Sequence, residues 1–167
     1  NVDVETNAHS RDYKNIKALL EDSALSDDVK TRSLSVFERL ARAEAGIHGC
    51  ALDDVHFHEV GGIDAIIDIV GTALGLDYLG IKKIIASPIT LGSGFATCSH
   101  GKLPVPVPAT MALLTGVPVK GSGIPHELVT PTGAAIITSL THRAVLVLPP
   151  PHPPSGPALD ALLRRHR

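Results

Sequence analysis

Aromatic residues make up only 3% of the 167 residues and tryptophan is absent. A core without large rings has to be assembled from Ala, Val, Ile and Leu in close contact, and the 44% hydrophobic content supplies them. Cysteines number two, Cys50 and Cys98, too few for a disulfide framework. No signal-peptide pattern opens the sequence, so the reading places the chain in a reducing cytoplasm. Long hydrophobic runs are missing too. The longest apolar stretch, "IDAIIDIVGTALGL" (63–76), carries two aspartates and is shorter than the roughly 20 residues that a bilayer-spanning helix needs. Neither charge dominates, with 15 Lys and Arg against 17 Asp and Glu for a formal charge of -2. Without a basic stripe, the balance argues against a nucleic-acid surface that relies on neutralising phosphates, and the reading has no nucleic-acid and no membrane partner.

The sequence does hold nine histidines, several of them beside glycine, proline or a carboxylate. The densest cluster is "DVHFHEVGGIDAIID" (54–68). If "VHFHE" is extended, side chains alternate, so His56 and His58 share one side and can chelate one ion while Phe57 packs on the other. On the helix that follows, Asp64 and Asp68 are one turn apart on a common face, with Gly71, Thr72 and Gly75 continuing along it. Gly61 and Gly62 allow a sharp turn between the two pieces, which would bring imidazoles and carboxylates together. Nitrogen and oxygen donors of this kind suit Ni, Zn, Fe, Co or Mn, and ligand type alone does not choose among them. In the alternative reading His56, His58 and Glu59 are surface residues and Asp64 favours the positive end of its helix. Asp68 fits that reading less easily, because a carboxylate in a buried apolar run needs a partner, a proton or a metal.

Other segments offer weaker chemistry. "CSHG" adds the sulfur of Cys98 and the imidazole of His100. "LGSG" (91–94) and "GSG" (121–123) are read as ordinary turns, since neither carries a phosphate-loop fingerprint. "TPTGAA" places Thr130, Thr132 and Gly133 at a helix start, suited either to an anion or to plain capping by Thr130.

Local signals predict an α/β or α+β fold with a small sheet flanked by helices, one of them largely apolar and buried. Tyr13, Ile16, Leu19 and Leu20 are spaced for a first helix. Ser26 reads as the N-cap of a second, with aspartates in its first turn and Gly49 near its stop. "IKKIIAS" (81–87) reads as a strand, followed by a strand, a glycine turn, a proline-fixed extended piece, a short helix from Pro108, the strand "VPVKG" and a last helix capped by Thr130 with Pro131 in its first position. Residues 1–143 are taken as one domain and 144–167, dense in proline, as tail or linker.

The blocks "FERLARAEAGIHG", "VHFHEVGGIDAIIDIVGTALGLDYLGI", "SPITLGSGFATCSHGKLPVPVPAT" and "ELVTPTGAA" together resemble the N-terminal region of the LarC family, in order and spacing, over roughly residues 9–140. The resemblance implies a cyclometallase that inserts nickel into pyridinium-3,5-bisthiocarboxylic acid mononucleotide, completing a nickel-pincer nucleotide cofactor, in a lyase reaction using CTP with Mn or Mg. On that reading His56, His58 and Glu59 are the metal ligands. Asp64, Asp68 and His100 are the catalytic groups that handle the proton lost when nickel bonds to ring carbon, and Thr130, Thr132 and Gly133 receive the substrate phosphate. The family's glycine-rich opening strand and helix have no counterpart here, the match ends near Leu140, and the CTP site is expected in a domain that this chain lacks. Homo-oligomerisation is left open. The rival readings are a non-catalytic nickel storage or delivery module and a metal-dependent phosphoesterase.

Overall fold

A computed structural model describes residues 12–57, 63–98 and 101–144, with backbone alone for residues 98, 143 and 144. Helix α1 spans Tyr13–Asp22, α2 Asp27–His48, α3 Ile63–Tyr78, α4 Pro108–Leu113 and α5 Pro131–Leu140. The strands are β1 (Ile85–Ala86), β2 (Ile89–Leu91), β3 (Phe95–Cys98), β4 (Gly101–Pro104), β5 (Val119–Gly121) and β6 (Arg143–Ala144). The mixed α and β class expected from sequence is the class observed.

Helix α2 is the hub, touching each of the other four helices. Its buried positions Val29, Ser33, Val36, Phe37, Leu40 and Ala41 recur at helical intervals, which puts one apolar stripe into the centre of the molecule. Local chemistry sets its length. The Ser26 hydroxyl accepts from the Val29 amide at 3.4 Å, Asp27 and Asp28 occupy the positive first turn, and Gly49 closes the helix at φ 66°, where a glycine is unstrained. Helix α1 adds Tyr13, Ile16 and Leu20 to the same core, while Leu19 faces outward at 54% exposure.

The strands form three two-stranded sheets among the described residues: β1 with β6 and β2 with β5, both parallel, and the antiparallel hairpin β3–β4. The strand expected over 81–87 is shorter than its apolar pattern suggests. Its first residues continue the end of α3, where the Ile81 amide donates to the Leu76 carbonyl at 2.8 Å, so pairing begins only at Ile85.

Helix α3 departs most from its expected environment. Only Ala65, Ile69 and Ala73 are buried, a narrow stripe that meets α2 and α5, whereas Ile63, Ile67, Leu74 and Tyr78 are 40 to 91% exposed. An apolar composition gives a helix the capacity to be covered on every side. Among the described residues only one side has a partner.

Candidate functional site

Between α2 and α3 the chain makes one 3-10 turn at Leu52–Asp54 and then runs extended through Val55, His56 and Phe57. The alternation expected from sequence holds there. Val55 and Phe57 are each 1% exposed, and His56 between them points to solvent. Phe57 lies against Phe37 of α2 with ring centroids 6.4 Å apart and planes tilted by 55°, a favoured aromatic arrangement. The Tyr13 amide donates to the Val55 carbonyl at 3.1 Å, tying the start of α1 to this segment.

That tie has a chemical consequence. It sets Asp12 opposite His56 in an isolated antiparallel bridge, and Asp12 Oδ1 contacts His56 Nδ1. A carboxylate beside Nδ1 is the kind of partner that orients an imidazole toward a ligand at its other nitrogen, Nε2. The His56 side chain is 66% exposed, so Nε2 is open to an incoming ion. Asp12 lies 44 positions before His56 and belongs to no recognisable motif; only a prediction of strand-like pairing between 12 and 56 would have found it.

The other proposed ligands and proton carriers divide into two groups. His58, Glu59 and His100 lie outside the described residues, as do Gly61 and Gly62. Asp64 and Asp68 are described, and both are exposed on one face of α3 together with Gly71 and Gly75. Asp68 is thus exposed rather than buried as expected, and a hydrated carboxylate needs no partner, proton or metal to offset burial. Its backbone carbonyl accepts from the Thr72 hydroxyl at 2.6 Å. Among the described residues no three His, Cys, Asp or Glu side chains converge on a point that could hold a metal ion.

At the start of α5 the Thr130 hydroxyl accepts from the Gly133 amide at 3.2 Å, which is the capping arrangement, and Pro131 occupies the first turn as expected. Thr130 and Gly133 thus satisfy each other, with Thr132 half-buried beside them. The glycine loops also behave as turns, because they hold each other. Ser93 donates its amide and hydroxyl to the Ile124 carbonyl at 2.9 and 3.1 Å, and Ser122 donates both to the Leu91 carbonyl at 3.0 and 2.9 Å. Neither serine amide is left for a phosphate.

A family model described as nickel insertion protein matches residues 1–153. The chain belongs to the nickel insertion protein family. The match runs beyond Leu140, where the resemblance in motifs ends. A Desulfitobacterium hafniense protein named pyridinium-3,5-bisthiocarboxylic acid mononucleotide nickel insertion protein is 54% identical over 129 residues, covering 77% of this chain and 32% of the relative. Proteins provisionally named as nickel insertion proteins in Geotalea uraniireducens and Syntrophobacter fumaroxidans are 55% and 53% identical over 139 residues, in each case 83% of this chain and 36% of theirs. The chain therefore spans about a third of the length of these curated relatives. No solved structure matches it.

Proposed function

We propose that this chain supplies the nickel-handling part of a protein that inserts nickel into pyridinium-3,5-bisthiocarboxylic acid mononucleotide. Family membership and the name of the Desulfitobacterium relative support the reaction. The observation in this molecule that carries it is the Asp12–His56 contact, a carboxylate–imidazole arrangement of the kind that orients a metal-binding histidine.

In this reading nickel is substrate rather than resident cofactor. His56 offers Nε2 to the ion, with His58 and Glu59 completing an exchangeable set of nitrogen and oxygen donors. Asp64, Asp68 and His100 accept the proton displaced when nickel bonds to the pyridinium ring. The phosphate of the mononucleotide is received at the start of α5 by Thr132, with Thr130 and Gly133 shaping the turn. CTP with Mn or Mg is used in a lyase reaction by the portion of the full-length relatives that this chain does not span, and the reaction takes place in the cytoplasm. No helix among the described residues is long and apolar enough to cross a membrane.

The test is mass spectrometry of the mononucleotide after incubation with nickel, CTP and Mn, the chain, and the remainder of a full-length relative. Nickel-containing product that falls at least tenfold when His56→Ala replaces the unaltered chain is the expected result. Equal yields from the two would overturn the assignment.

A further inference from the structure

A cleft of about 230 Å³ opens between the second turn of α2, the segment leading into β1 and the end of α5. It lies apart from the segment that carries His56, and none of the nickel-handling residues named above lines it. Its polar wall is made of Thr31, Arg32 and Ser35 from α2, Lys82 before β1, and Ser139 and His142 from the end of α5 and the residues after it. Leu76, Ile81, Ile84 and Leu140 form the apolar remainder.

Two donors in that wall lack acceptors. Arg32 gives Nη2 to the Ile81 carbonyl at 3.1 Å, but its Nη1 is buried with no hydrogen-bond partner. The Ser139 hydroxyl is likewise buried and unpartnered. Leaving a charged N–H buried without an acceptor costs more than leaving a neutral one, so the guanidinium is the stronger of the two demands. The bond to Ile81 fixes one edge of its fork and leaves the other edge for a planar or tetrahedral oxyanion. Lys82 stands at the rim, 72% exposed and 3.5 Å from Asp28, where it can exchange that hydrated partner for a ligand. Asp28 is matched by this contact with Lys82.

We propose that this cleft binds a small ligand through an oxyanion group, a phosphate or a carboxylate. The oxyanion pairs with Arg32 and Ser139, while a compact apolar portion of the ligand lies on Ile84 and Leu140. The proposal does not depend on the nickel reading.

The experiment follows backbone amide resonances of the full 167-residue chain by two-dimensional NMR. Inorganic phosphate is titrated in one arm and acetate in the other, at constant ionic strength held with chloride. Saturable shifts at Thr31, Arg32, Ile84, Ser139 and His142 in either arm are expected, and the arm with the tighter binding identifies the oxyanion. Arg32→Gln should weaken that binding at least tenfold, and Ser139→Ala, a smaller change to the fold, should weaken it severalfold. Absence of saturable shifts in both arms overturns the proposal, as does unchanged binding in a folded Arg32→Gln or Ser139→Ala variant.

Discussion

Phe37 and Phe57 meet in the core with ring centroids 6.4 Å apart, and this contact anchors the strand-like segment that presents His56. Both rings are essentially inaccessible, at 0 and 1% exposure. Replacing Phe57 with Ala removes the ring and leaves a cavity, for which a loss of about 3 kcal/mol is expected. Phe57→Leu, which keeps most of the volume, should cost less than half as much. Urea unfolding of both variants tests this, and a Phe57→Ala loss below about 1 kcal/mol would show that the segment is held by something else.

Gly92 allows no side chain. A Cβ built there would stand 1.6 Å from the His126 carbonyl oxygen, a backbone atom that cannot move without disturbing the paired loops. Gly71, on the exposed face of α3, has nothing within 4 Å of the same position. Gly92→Ala is therefore expected to destabilise by about 2–3 kcal/mol. Gly71→Ala should stabilise by about 0.5–1 kcal/mol through the restricted unfolded chain and better helix propensity. The opposite signs in thermal melts of the two variants are the check.

Tyr13, 5% exposed, has a phenol raised above its ordinary value of 10.0, first by burial and then by the nearby carboxylates of Glu38 and Asp53. A folded-state value above the unfolded one means that its contribution to stability is complete below pH 10 and is lost as pH rises through the folded value. Alkaline unfolding should thus steepen above the unfolded value. In Tyr13→Phe that part of the pH dependence should disappear, as read from denaturant midpoints across the alkaline range.

The caps were legible in the sequence because they are local. Ser26 before two aspartates and Thr130 before Pro131 each form the cap that their spacing predicts. Removing either hydroxyl should cost about 1 kcal/mol, measurable by urea unfolding of Ser26→Ala and Thr130→Ala. The orientation of His56 was legible for the same reason, through the alternation of an extended segment. What the sequence withheld was non-local. The partner of His56 is 44 positions away in a segment that carries no motif, and the start of β1 was displaced by a helix end that reaches into it. The exposure of Asp68 was hidden because hydrophobic composition does not say how many sides of α3 are covered.

The Asp12–His56 pair is the part of the nickel assignment that rests on this chain's own geometry, and calorimetric titration with nickel reads it directly. The unaltered chain should bind nickel saturably, His56→Ala should lose that binding, and Asp12→Asn should weaken it by about 10- to 100-fold by releasing the imidazole from its oriented state. Nickel bound equally by all three proteins, or by none of them, would contradict the assignment.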